Sequence, residues 1–224
     1  RSPVQAKLEE ATRLFIKGQF RESEKLAQEL VRDNPHDVNP ALLLARLAMM
    51  ASCYDDARTI LEKIVDMQPR FMAARHDLGT VLKELHDYEG AVLVLEEAQR
   101  LDPDNALTHY YLGAALAMAA RPEMAVRSYQ QAVALDPELP GAHIGLGHVL
   151  KTVGDQEGGV AAYRKAIALR PNFGETYYSL ANLKTFRFTE QDVETMTERL
   201  ANDALPLDCR VHFAFSLGKA FEDN

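Results

Sequence analysis

The sequence predicts an all-α fold, a solenoid built from antiparallel helix pairs. One pattern recurs every 34 residues, which is the length of a helix-turn-helix repeat. The prolines that close successive copies lie at this interval: Pro35, Pro69, Pro103, Pro137 and Pro171. Each copy contains two amphipathic stretches of roughly 13 residues, with apolar residues at helical spacing. Small residues recur at fixed places in both stretches, as expected where two helices pack closely.

The closing prolines divide the chain into consecutive repeats. If each proline takes the thirty-second place, there are five full repeats, at 4–37, 38–71, 72–105, 106–139 and 140–173. Residues 174–205 form a divergent sixth repeat. Residues 206–224 are the first helix of an incomplete seventh repeat, in which Leu217 and Gly218 take the seventh and eighth places.

A short polar or glycine-containing break separates the two predicted helices of each full repeat. The breaks recur with the same period: Gly18-Gln19, Ser52-Cys53, His86-Asp87, Ala120-Arg121 and Gly154-Asp155. In the sixth repeat, the first helix is predicted from Glu175 to about Lys184. Thr189 and Asp192 then have the spacing of a capping pair and predict a new helix that ends near Ala201. A last amphipathic helix is predicted over 211–221.

The small residues show which family the pattern resembles. On the first helices they are Ala11, Ala45, Gly79, Gly113, Gly147 and Ala181, and on the second helices Ser23, Ala57, Ala91, Ala125 and Gly159. An aromatic residue follows the break as Phe20, Tyr54 and Tyr88. These positions together resemble the tetratricopeptide repeat. The resemblance implies a right-handed superhelical solenoid that serves as a protein-interaction scaffold and performs no chemistry itself.

In tetratricopeptide repeats, the first helices line a concave groove. By this resemblance, places two, five, nine, twelve and thirteen of the first helices point into the groove. The predicted peptide-binding residues are Arg46, Met50, His76, Thr80, Lys83, Tyr110, Ile144, His148, Lys151, Tyr178 and Asn182. Tyrosine, methionine and cationic side chains are adaptable contacts and are common where a surface binds protein. We therefore expect a protein or peptide segment as the partner.

Composition excludes several other partners. The formal charge of −8 and the pI near 5.4 disfavour a nucleic acid, whose binders usually present a basic face. No apolar run approaches the length of about 18 residues that a membrane-spanning helix requires. Cys53 and Cys209 lie several repeats apart, and repeats contact only their neighbours, so both are predicted to be free thiols. This fits a cytoplasmic protein.

The sequence contains no recognisable catalytic or cofactor motif. Gly145-Leu146-Gly147 falls inside a predicted helix, so helix packing explains it better than a phosphate-binding loop. His109 and His143 occupy equivalent places one repeat apart, and we expect them to be half-buried packing residues and not metal ligands. Cys53 has no adjacent histidine to activate it. No catalytic residue, metal or cofactor is predicted.

Two alternatives remain open at this stage. The run from Tyr177 to Phe188, followed by an acidic helix and 210–223, is similar to the repeat region that precedes a sulfotransferase domain in bacterial proteins. That resemblance implies a substrate-recruiting region whose catalytic domain would lie downstream. The second alternative is self-association through the terminal helix, if the apolar face of that helix is exposed.

Overall fold

The structure is a computed structural model that describes residues 2–223. Within that range the regular elements are thirteen α-helices, which confirms the predicted all-α fold. The helices are α1 (Pro3–Ile16), α2 (Phe20–Asp33), α3 (Val38–Met50), α4 (Tyr54–Met67), α5 (Met72–Glu84), α6 (Tyr88–Leu101), α7 (Ala106–Met118), α8 (Pro122–Leu135), α9 (Pro140–Thr152), α10 (Gln156–Leu169), α11 (Gly174–Ala181), α12 (Glu190–Leu200) and α13 (Leu207–Glu222).

All five predicted breaks separate two helices. At each break one residue has a positive φ, and these residues are again 34 apart: Gly18 (75°), Ser52 (58°), His86 (60°), Ala120 (57°) and Gly154 (89°). At 18, 52, 86 and 154 the left-handed conformation reverses the chain between two helices that pack against each other. Glycine adopts it without steric cost, whereas a residue with a Cβ atom is strained by about 1–2 kcal/mol.

The chain forms two compact units, which divide between Ala119 and Ala120. Unit 1 contains α1 to α7, and each helix packs against the next one along the chain. Small residues allow these close approaches. A Cβ atom on Gly79 of α5 would lie 2.7 Å from Leu95 of α6, and the Ser23 hydroxyl of α2 donates a 2.8 Å hydrogen bond to the carbonyl of Ala11 in α1.

Unit 2 contains α8 to α13. The closest helix pair in it is α9 and α10, where Gly147 lies against the ring of Tyr163 and Gly159 lies against the Gly147 carbonyl. The first helix of the sixth repeat, α11, is shorter than predicted. It ends at Ala181 rather than near Lys184, because the chain turns at Asn182 and again at Lys184 and Thr185.

The predicted cap of α12 is present as a complete capping box between Thr189 and Asp192. Asp192 also receives two hydrogen bonds from Arg164 of α10, at 2.5 and 2.7 Å, which fix α12 to the preceding repeat. Burial alone would raise the pKa of Asp192, but the bonds from Arg164 and Thr189 hold this pKa below its usual value.

The last helix, α13, is longer than predicted because it begins at Leu207 and not at Val211. One side of α13 packs on α11 and α12, where Phe213 is fully buried against Tyr177 and Met196. The predicted self-association requires an exposed apolar face on α13, and on another side of the helix Phe221 is 66% exposed. Leu217 is buried within unit 2.

The carbonyls of three closing prolines are satisfied by the side chain six residues later. His109 Nε2 lies 2.7 Å from the Pro103 oxygen, and His143 Nε2 lies 2.8 Å from the Pro137 oxygen. Arg75 Nε donates a 2.6 Å bond to the Pro69 oxygen. All three side chains are buried. The two histidines are packing residues, as predicted, but they are buried rather than half-buried.

Candidate protein-binding surfaces

The first helices of unit 1 form one candidate surface, the unit 1 face. Arg46 of α3, Thr80 and Lys83 of α5, and Tyr110 of α7 are partly exposed on it. All four were predicted as groove residues. Burial lowers the pKa of Lys83, although Glu84 nearby opposes this effect. The ammonium group is therefore partly desolvated, which strengthens its attraction to an anion.

A charged contact holds the unit 1 face together. Arg46 Nε donates a 2.7 Å hydrogen bond to Asp77 Oδ2, which connects α3 to α5. Burial raises the pKa of Asp77, and the bond from Arg46 opposes the rise. Tyr111 of α7 lies beside this pair and packs edge-on against Tyr110, with 5.0 Å between the ring centroids. Arg46 and Tyr110 are thus oriented by contacts within the unit.

His76 does not belong to the exposed part of this face. Its side chain is 6% exposed, its Nε2 atom lies 2.7 Å from the hydroxyl of Thr108, and its ring stacks on Tyr111 at 4.9 Å. Burial lowers the pKa of His76 to about 4. The fifth place of a first helix is covered here by the next first helix, so His76 supports the face without being open to a ligand.

Met50 also lies apart from the other predicted residues. It is 61% exposed and lines a separate depression of about 650 Å³. The depression is bordered by α2, α3 and α4, with Phe20, Leu47 and Ile60 among its apolar walls. Met50 is the last residue of α3, so its side chain reaches the edge of the hairpin instead of the surface around Arg46.

The strongest concentration of predicted residues is in unit 2, in a cavity of about 690 Å³ that we call the unit 2 pocket. It is lined by seven residues of α9, α11 and α13 and of the α11 C-cap: His148, Lys151, Glu175, Tyr178, Ser179, Asn182 and His212. Four of them were predicted from the sequence: His148, Lys151, Tyr178 and Asn182. The remaining predicted residue of unit 2, Ile144, is partly exposed on α9 but does not line the pocket.

A buried hydroxyl orients one wall of the pocket. Tyr163 of α10 is fully buried, and its hydroxyl oxygen lies 2.8 Å from His148 Nδ1. Burial raises the pKa of Tyr163 to about 12 and lowers the pKa of His148. The contact occupies Nδ1, so Nε2 of His148 is the nitrogen left for a ligand.

The opposite wall is aromatic. The Tyr178 ring packs against His212 at 5.1 Å and against Phe215 at 4.8 Å, which connects α11 to α13. Asn182 Nδ2 donates a 2.9 Å hydrogen bond to the Tyr178 carbonyl. The walls therefore combine an aromatic ring, an ammonium group, two imidazoles and a carboxylate.

Sequence reasoning missed three residues of the pocket: Glu175, Ser179 and His212. Glu175 and Ser179 hold the second and sixth places of the sixth repeat. The signal for His212 was present in Leu217-Gly218, because that register puts His212 at the second place of a first helix. The predicted groove ends at Asn182.

Residues 2–223 contain no helix that is both long and apolar enough to cross a membrane. Cys53 is exposed, Cys209 is partly exposed, and both are free thiols, as predicted.

Comparison with protein families identifies the class of protein. A family described as TPR repeat matches residues 66–119, and families described as tetratricopeptide repeat match residues 14–82, 106–139 and 140–173. The matches together extend from residue 14 to residue 173. The chain therefore belongs to the tetratricopeptide repeat family. No curated protein sequence matches it.

Solved structures share the fold. A thermophilic tetratricopeptide repeat protein of Thermus thermophilus is 22% identical with a TM-score of 0.69, and the match covers 96% of this chain and 98% of that one. MamA residues 41 to the end, from Desulfovibrio magneticus, are 24% identical with a TM-score of 0.63, covering 75% and 95%. At these identities the likeness shows the fold alone. These structures do not test the sulfotransferase resemblance, which stays a prediction.

Proposed function

We propose that this chain is a non-catalytic scaffold that binds a segment of a partner protein on the surface of its first helices. The observation that carries the proposal is the unit 2 pocket. Two consecutive repeats and α13 each contribute side chains to it, and four of those residues were expected to bind peptide. Tetratricopeptide repeat proteins generally bind protein partners.

The chemistry of the pocket favours a segment that carries both an apolar and an acidic side chain. The Tyr178 ring offers an amphipathic surface whose position is held by His212 and Phe215. Lys151 and Nε2 of His148 offer donors to a carboxylate, while Glu175 limits how much negative charge the pocket accepts. The aromatic contact should carry more binding energy than the exposed charge, which mainly affects association rate and salt dependence.

The unit 1 face supports the same function separately. Tyr110, Lys83 and Arg46 repeat the combination of an aromatic ring with cationic groups. The Arg46–Asp77 bond fixes one of these groups before a ligand arrives, which reduces the entropic cost of binding. The two free thiols fit action in a reducing compartment such as the cytoplasm.

The test is quantitative affinity capture from cells of the source organism. The Lys151→Ala, Tyr178→Ala double variant should lose at least one protein that the wild-type chain retains, because truncating an aromatic anchor commonly costs about 2 kcal/mol or more of binding. Lys165→Ala is the matched control, since it removes the same charge from an exposed position on the second helix α10.

Circular dichroism must first establish that both variants keep wild-type helicity. If the double variant and Lys165→Ala then capture the same proteins in the same amounts as the wild type, the pocket is not a binding surface. The Tyr110→Ala and Lys83→Ala variants of unit 1, tested by the same affinity capture, measure the contribution of the unit 1 face to binding.

A further inference from the structure

The charge of the unit 2 pocket is decided by its histidines. Lys151 and Glu175 are the lining residues that are ionised at neutral pH, and their formal charges cancel. The other ionisable groups that change their charge in mild acid are the imidazoles of His148 and His212. An imidazole ordinarily takes up a proton near pH 6.5, whereas lysine and glutamate stay ionised there. The lining is therefore close to neutral at first and becomes cationic on mild acidification.

His148 is held by a network that suits both of its protonation states. Its Nδ1 atom lies 2.8 Å from the hydroxyl oxygen of Tyr163, and this hydroxyl is also hydrogen-bonded to the side chain of Ser179. The neutral imidazole accepts the Tyr163 proton at Nδ1 and carries its own proton on Nε2. The protonated imidazole donates from Nδ1 to the Tyr163 oxygen, and the Tyr163 hydroxyl then donates to Ser179 Oγ. Nε2 is a donor towards the pocket in both states.

The surroundings of His148 within the chain disfavour its protonated state. Burial lowers the pKa of His148, Glu175 raises it, and Lys151 lowers it. A carboxylate of a bound segment would accept hydrogen bonds from Nε2 and from Lys151. Its negative charge would stabilise the imidazolium and raise the pKa of His148. Because coupling between two bound species is reciprocal, proton uptake must then strengthen binding of the carboxylate.

His212 acts on the same pocket from the opposite wall. Its ring centroid lies 5.1 Å from that of Tyr178, so an imidazolium here is within the range of a cation–π interaction. Protonation of both histidines would place two added positive charges in one lining. The other ionisable groups near the two imidazoles come from four helices: Lys151 of α9, Tyr163 of α10, Glu175 and Tyr178 of α11, and Asp208 of α13, one turn before His212.

We infer that an acidic segment of the partner binds in the unit 2 pocket together with a proton, so that its affinity rises as the pH falls from about 7.5 to about 5.5. This inference rests on the proposed function and adds that mild acidification regulates the site. The Tyr178 ring contacts the apolar part of the segment in either state, and the histidines set how strongly the acidic part is held.

A suitable probe is the capped dipeptide N-acetyl-leucyl-glutamate amide. It offers one apolar side chain and one carboxylate, and the carboxylate stays largely ionised above about pH 5.5. N-acetyl-leucyl-glutamine amide has nearly the same shape without the charge and is the matched neutral probe. NMR titration measures weak affinities and also follows the protonation of each histidine. Circular dichroism first establishes that the chain has the same helicity at both pH values.

The wild-type chain should bind the glutamate probe about tenfold more tightly at pH 5.5 than at pH 7.5, because a pKa rise of about one unit on binding corresponds to a tenfold change. The His148→Gln, His212→Gln double variant should bind it equally at both pH values. His36→Gln removes an exposed histidine outside the pocket and should keep the wild-type ratio. The glutamine probe should bind the wild type with little dependence on pH.

The inference is overturned if the glutamate probe does not bind, or binds the wild type equally at both pH values. It is also overturned if the double variant keeps the wild-type ratio, or if the probe leaves the pKa of His148 unchanged. Affinity capture distinguishes these failures from failure of the proposed function. A partner that is lost from the Lys151→Ala, Tyr178→Ala variant, but is retained equally at both pH values by the wild type, would refute the proton coupling and leave the scaffold function standing.

Discussion

Helices α9 and α13 carry a similar pattern of small and apolar residues but have different surroundings. In α9, Gly147 is covered by Tyr163 of the next helix, and in α13 the equivalent Gly218 has no described neighbour within 4 Å. The sides that face the preceding helices are nevertheless buried in both. The comparison teaches that a glycine at the eighth place makes helix packing possible, whereas the covering helix decides whether the surface becomes core or interface.

The largest expected effect distinguishes the two sides of α13. Phe213→Ala should lower the free energy of unfolding by about 3–5 kcal/mol, because it leaves a cavity between Tyr177 and Met196. Phe221→Ala should change it by less than about 0.5 kcal/mol, because Phe221 is exposed. Urea unfolding of both variants measures the difference. Equal losses of unfolding free energy would mean that Phe221 is also packed and that its side of α13 is not exposed.

A second prediction concerns the fifth place, where the next first helix covers His76 but Phe215 of α13 remains 48% exposed. The pKa of His76 is about 4 in the folded state, below its ordinary value of 6.5. Between these values the unfolded state binds the extra proton and the folded state does not, so acidification favours unfolding.

The wild-type chain should therefore lose stability as the pH falls from 7 to 4. His76→Gln should remove on the order of 2 kcal/mol of this loss. The measurement is a series of urea unfolding curves at fixed temperature across that pH range. Parallel pH profiles for the variant and the wild type would show that His76 titrates normally and is not covered.

The smallest expected effects come from two glycine-to-alanine substitutions, which should change the stability in opposite directions. Gly147→Ala should destabilise unit 2 by about 1–3 kcal/mol, because the new methyl group meets the Tyr163 ring. Gly218→Ala should stabilise the chain by about 0.5–1 kcal/mol, because alanine is the better helix former and nothing obstructs it. Thermal melts of the two variants test this prediction. A loss of stability for Gly218→Ala would mean that the helix surface at Gly218 is not open.

The periodic part of the fold could be predicted closely from the sequence. The turns at 18, 52, 86, 120 and 154 follow from the repeat, and the structure has a left-handed residue at each. The register holds even where Ser52, His86 and Ala120 replace the glycine that such a backbone favours. At Ser52 and His86, this local preference is weaker than the packing of the two helices that each turn connects.

The candidate site was less predictable, because exposure depends on neighbours that belong to other repeats. His76 and Tyr110 hold the same place in consecutive repeats, yet Thr108 and Tyr111 cover the first while the second stays partly exposed. His212 was missed because α13 is out of register by three residues. The bond between His148 and Tyr163 depends on a contact between helices that residue spacing alone does not specify.

Site-specific photo-crosslinking tests the central claim, that the first helices carry the binding surface, most directly. A benzoylphenylalanine residue would replace Asn182, which lines the unit 2 pocket, or Ala161, which is exposed on the second helix α10. Irradiation in cells of the source organism should produce a crosslinked partner from position 182, and adding Tyr178→Ala should abolish it. Position 161 should give no such product. The same crosslinked product from both positions, or from 161 alone, would contradict the account.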